Sequence, residues 1–223
     1  MTASTTECVD TRDMIVVHTA FRREFCLAPG LVRGTPVGDV SRASLVAAHL
    51  ELINGFLHLH HTGEDRLVWP KLLDRVPKEL APAVTLMQTQ HERIHDLIES
   101  AEVLLLRWRN RAEAAERDEL ADVLDQLYVV LEEHLGAEEQ HILPLAARWM
   151  STAEWQQLGE EAMAELPKNK LPLLFGMFMY QGDPQVIFSM LAHAPVLPRL
   201  LMPVLGPRAY ARYARRVHGT TKP

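Results

Sequence analysis

The side chains with chemistry to offer are histidines and glutamates at helical spacing: His18, His60-x-x-x-Glu64, His91-x-x-x-His95 and His134-x-x-x-Glu138. Residues four apart lie on the same side of a helix, so each pair can aim at one point. Together they supply five imidazoles and two carboxylates, more than one metal ion needs and suited to two. Neutral imidazole suits iron, zinc, copper and nickel. If both carboxylates bridge, five terminal imidazoles divide three and two, and the second metal keeps one open position. A histidine-rich pair of irons is less strongly reducing than a carboxylate-rich pair. Its expected chemistry is binding of O₂, peroxide or nitric oxide rather than oxygenation of carbon.

Four amphipathic segments must position these groups. Residues 11–28 form the first expected helix, with Met14, Val17, His18, Phe21 and Phe25 on one stripe and Pro29-Gly30 ending it. The second covers about 41–68, with Ser41 as N-cap and Val46, His49, Ile53, Phe56, His60 and Glu64 inward. The third opens near Pro77 and runs to about 111, with Val84, Met87, His91, Ile94, His95 and Ile98 aligned. The fourth covers about 116–143, where Gly136 interrupts the helix beside a ligand and is expected to make room. No strand-like alternation of any length occurs. The expected fold is all-α, an up-down-up-down four-helix bundle over 11–148, with additional short helices in a C-terminal extension over 151–223. Ser151-x-x-Glu154 is a capping-box signature, and Pro172, Pro184, Pro195, Pro198 and Pro203 divide the remainder of the extension. Residues 207–217 form a basic helix with Tyr210 and Tyr213.

A weak internal repeat relates the second and fourth helices. His60-His61-Thr62-Gly63-Glu64-Asp65 aligns with His134-Leu135-Gly136-Ala137-Glu138-Glu139, and each run ends at a proline, Pro70 and Pro144. The repeat favours Glu138 over Glu139 as the partner of Glu64. It leaves Asp65 and Glu139 either as a solvated face or as groups holding a ligand histidine in one tautomer. Adjacent helix positions differ by about 100°, so one of His60 and His61 is expected to face inward, and the stripe through Phe56 favours His60.

The rest of the chain bounds the setting. With 223 residues, 48% apolar and 23% charged, it has the composition of a globular protein. No apolar run opens the chain and none is long enough to cross a bilayer, so neither a signal peptide nor a membrane span is expected. Two cysteines make no disulfide framework, which suits a cytoplasmic protein. A net charge of −6 argues against general nucleic-acid binding. The exception is residues 206–223, where every charged side chain is basic. The extension is the candidate surface for contact with a partner or a second copy.

The ordered set His18, His60/Glu64, His91/His95 and His134/Glu138 resembles the hemerythrin-like (HHE cation-binding) family over about residues 11–145. The resemblance implies a non-heme diiron site. His91, His95 and His134 would hold one iron, His18 and His60 the other, and Glu64 and Glu138 would bridge them with an oxo or hydroxo group between. The open position would lie on the iron of His18 and His60, with O₂ or peroxide as ligand. Three functional classes compete within it: an O₂ carrier or sensor, a diiron enzyme consuming peroxide or nitric oxide, and an iron-binding regulatory module. A fourth reading comes from His91-Glu92-Arg93-Ile94-His95, which matches the zinc hydrolase helix H-E-x-x-H but leaves the other ligand positions unexplained. His49 is too far along its helix to share the site and reads as a hydrogen-bonded core histidine. Met177 and Met179 read as packing.

Overall fold

A computed structural model of the chain describes residues 8–192, 194 and 196–223. The expectations at the chain's first residues and at Pro195 lie outside them. The described chain is helical throughout, with no strand. The helices are α1 (Arg12–Arg33), α2 (Val40–Leu67), α3 (Trp69–Arg75), α4 (Ala81–Arg111), α5 (Ala114–Ala137), α6 (Leu143–Trp149), α7 (Thr152–Glu165), α8 (Leu171–Gln181), α9 (Pro184–Ala192) and α10 (Val196–His218). A single π-helical turn, Glu138–Ile142, joins α5 to α6. Among the described residues no helix is long and apolar enough to cross a membrane.

Four long helices form the bundle. α1 packs on α2, α2 on α4, α4 on α5 and α5 on α1, closing a ring of chain neighbours. Two apolar clusters lie along it. One holds Phe21, Leu57, Ile94 and Leu131, and the other holds Met14, Leu67, Met87 and Ile142. Along the chain, α1 passes from the second cluster to the first, α2 returns, α4 repeats α1, and α5 with the π-helical turn after it repeats α2. Successive helices therefore cross the layer between the clusters in opposite senses, as the short connections require. The predicted histidines and glutamates other than His95 fall in that layer.

Local sequence explains most boundaries. Asp39, not Ser41, caps α2, its carboxylate accepting from the Arg42 amide at 2.9 Å. Ser151 and Glu154 form the expected capping box at α7. Pro82 sits in the first turn of α4, where its missing N–H costs nothing. α1 does not end at Pro29 but continues to Arg33. Pro29 and Val32 are buried there, and tertiary packing outweighs the hydrogen bond that proline removes.

The extension docks on the bundle. α8 and α9 pack on α1, and α10 packs on α8 and α2. Phe175, Phe178, Ile187, Met202 and Tyr210 join the same apolar cluster as Phe25 and Leu50. α8 and α10 cross backbone to backbone: a methyl group at Gly176 would lie 2.1 Å from the Gly206 carbonyl oxygen. Arg23 bridges the two parts, donating to the Met177 carbonyl at 3.2 Å and lying over the Tyr180 and Tyr210 rings. Phe188, Val196, Leu197, Leu200 and Val204 leave apolar surface exposed on the extension.

Candidate metal centre

Seven side chains converge in the layer between the apolar clusters, in two groups of four that share Glu64. One group is His61, Glu64, His91 and His134, and the other is His18, His60, Glu64 and Glu138. Six of the seven are among the residues expected from spacing. His61 is not, and His95 does not take part.

The geometry of α4 explains His95. Its buried line runs Val84, Met87, His91, Ile94, Ile98. After His91 the inward position falls three residues on, at Ile94. His95 sits at the edge of the stripe, with its side chain 54% exposed and its Nε2 3.2 Å from Glu99 on the same helix. The H-E-x-x-H reading fails for the same reason: His91 is buried and His95 points to solvent.

The geometry of α2 explains His61. Its buried line runs Ile53, Leu57, His61, Glu64. His60 and His61 lie about 50° to either side of the inward direction, half of the 100° step. Both side chains enter the site, His60 toward His18 and His61 toward His91. The 100° step therefore does not force a choice between them. A signal for His61 exists in the sequence, since it continues the Ile53–Leu57 spacing while His60 continues Phe56.

The oxygen and nitrogen atoms face one another at 3.2 to 3.8 Å. Glu64 presents one oxygen to His60 Nε2 at 3.4 Å and the other to His91 Nε2 at 3.5 Å. Glu138 Oε2 lies 3.3 Å from His18 Nε2 and 3.8 Å from His134 Nε2. The His91 and His134 Nε2 atoms are 3.2 Å apart. Two ligand atoms about 2.1 Å from a shared metal in tetrahedral geometry stand roughly 3.4 Å apart. The Nε2 atoms of His18, His60 and His61, both oxygens of Glu64 and Oε2 of Glu138 are buried without a hydrogen-bond partner. Each such orphan costs about 1–3 kcal/mol, so six facing one layer fit cations and fit little else.

Outside the ligands, a further ring of groups orients them. His18 Nδ1 donates to Glu139 at 2.9 Å, His91 Nδ1 to Asp65 at 2.8 Å and His134 Nδ1 to Gln90 Oε1 at 3.2 Å. Each bond leaves the Nε2 lone pair turned inward. Asp65 and Glu139, equivalent in the repeat, thus play equivalent parts. Arg22 ties Glu139 down at 2.6 Å. The π-helical turn lets Glu138 reach inward while Glu139 reaches His18, and such turns mark functional sites. Gly136 has open space around it, so it clears no room for a ligand. His58 and His141 are exposed, and Tyr128 lies outside the site beside Cys26.

Burial governs protonation. It pushes His60 and His61 well below the usual imidazole range, and neighbouring imidazoles add to this. His134 is lowered to about 3, again mainly by burial. For His18 burial is opposed and outweighed by Glu138 and Glu139, and its pKa rises. Two adjacent buried carboxylates cannot both ionise cheaply. Burial, then the Glu138 charge, pushes Glu64 well above the carboxylate range. Cations between these groups would hold Glu64 ionised as well.

The hemerythrin HHE cation-binding domain model matches residues 10–151, the span that contains all seven groups and ends where the extension begins. No curated protein and no solved structure matches the chain.

Proposed function

Because the chain belongs to the hemerythrin HHE cation-binding family, we propose that it holds two iron ions and binds O₂ or a related small molecule, peroxide or nitric oxide. The observation that carries this reading is the pair of four-group clusters sharing Glu64, with their orphaned nitrogen and oxygen atoms turned inward. His61, His91 and His134 would hold one iron and His18 and His60 the other. Glu64 would bridge them, with Glu138 as the second bridge. A pair of irons supplies reversible electron exchange with a small ligand.

The division of imidazoles, three on one side and two on the other, leaves the open position beside His18 and His60. Phe21 lies against His60, ring centres 5.2 Å apart, and makes that side apolar. The two apolar clusters above and below exclude water. Asp65, Glu139 and Gln90 hold their histidines in the ligating tautomer. The family match ends at residue 151 and supports reading 151–223 as an extension. Its exposed apolar side chains support contact with a partner or a second copy there.

The test is metal analysis with an optical spectrum. Purified protein is expected to carry two irons per chain, and the reduced form to take up O₂ and release it under vacuum. One zinc and no iron would overturn the diiron reading. Iron present, with O₂ consumed and not released, would overturn the binding reading in favour of an enzyme.

A further inference from the structure

A third cluster of metal-ligating groups lies where the bundle meets the extension. It comprises Glu24 of α1, His49 of α2 and His218 at the last residue of α10. His49 precedes His60 by three turns of α2, roughly 16 Å at the helical rise, so this cluster is separate from the layer of seven groups. We propose that Glu24, His49 and His218 form a mononuclear site for a divalent first-row transition ion.

Three unused atoms mark the site. His218 Nε2 lies 3.3 Å and His49 Nε2 3.6 Å from Glu24 Oε2. All three atoms are buried without a hydrogen-bond partner, and their side chains are at most 4% exposed. The separations are long for N–H···O hydrogen bonds but close to the roughly 3.4 Å expected of two ligands on one tetrahedral ion. Two imidazoles and one carboxylate are a ligand set suited to zinc or ferrous iron, with room for a further ligand.

The surroundings orient Glu24 and His49 and anchor the chain end that carries His218. Tyr210 donates its hydroxyl to Glu24 Oε1 at 2.9 Å, and Arg23 donates to the same oxygen at 2.9 Å. These bonds fix the carboxylate plane and leave Oε2 free. His49 Nδ1 meets the Tyr213 hydroxyl at 3.0 Å, which turns Nε2 toward Glu24. Arg42 donates to the carbonyls of Arg216 and Val217, anchoring the end of α10 that carries His218. Burial lowers His49 to about 4, so it stays neutral, the ligating form. Glu24 is held at about 2: burial opposes its charge, and His218 and Arg23 outweigh it.

The site needs the extension, because His218, Tyr210 and Tyr213 all come from α10. A metal there would staple the extension to α1 and α2.

The experiment uses chelator-stripped full-length protein dialysed against Zn²⁺, with metal per chain measured in four forms. His218→Ala is expected to hold one Zn²⁺ fewer than wild type. A His61→Ala/His134→Ala variant, which leaves the His18, His60, Glu64 and Glu138 group intact, is expected to lose one further Zn²⁺ when His218→Ala is added. Equal counts with and without His218→Ala would overturn the proposal. Failure of the diiron reading would show separately, as equal counts in wild type and the His61→Ala/His134→Ala variant. Should His218→Ala misfold, His218→Gln replaces it, with the same loss of one Zn²⁺ expected and an equal count overturning the proposal.

Discussion

Among individual residues, the contrast between His61 and His95 is decisive. His61→Ala or His134→Ala is expected to remove iron, whereas His95→Ala is expected to keep it, since that side chain faces solvent. Iron per chain after purification checks this, and retention in His61→Ala would reject the ligand set. Asp65 and Glu139 hold His91 and His18 in orientation from outside the converging groups. Replacing Asp65 by Asn is expected to weaken metal affinity about 10–100-fold while leaving the fold unchanged. Competition with a chelator would measure it, and an unaltered affinity would show that Asp65 is only a solvated acid.

Among the helices, two junctions can be tested without touching the metal groups. Asp13 in the first turn of α1 accepts from Trp155 Nε1 at 3.0 Å, joining α1 to α7. Burial raises its pKa above 3.8, against the help of that bond and of the Met14 amide. A carboxyl with a higher pKa folded than unfolded costs stability above both values and nothing below them. Wild type should therefore gain stability relative to Asp13→Asn as pH falls through the raised value to 3.8. Denaturant midpoints across that window check the sign, and a gap independent of pH would contradict it. The second junction is the crossing of α8 and α10. Gly176→Ala would drive a methyl into the Gly206 backbone, which has no flexible side chain to yield. A loss of about 1–3 kcal/mol is expected, lowering the thermal midpoint by a few degrees for a chain of this size. An unchanged midpoint would mean that the helices part freely.

For the molecule as a whole, the extension is structural even though the family match ends before it. It covers Phe25 and Leu50 and shares Arg23 and Glu24 with the bundle. Deleting residues 168–223 would expose that apolar face and strand the Glu24 charge. The truncated protein is expected to unfold at markedly lower temperature than the full chain, whatever its iron content. Calorimetry of both forms decides it, and equal midpoints would make the extension a detachable appendage.

The helices, the bundle and six of the seven converging groups were legible in the order of residues alone. These follow from local periodicity, from the His-x-x-x-Glu repeat of α2 and α5, and from chain order. Packing settled the rest. Whether α4 turns His95 inward depends on a rotation of a few tens of degrees, set by how Ile94 and Ile98 pack. His60 and His61 both enter because α2 aims the space between them at the site. Pro29 stays helical because its surroundings are buried. The Glu24, His49 and His218 cluster leaves no spacing signature, since its members come from three distant segments. Only the docking of α10 on the bundle brings them together.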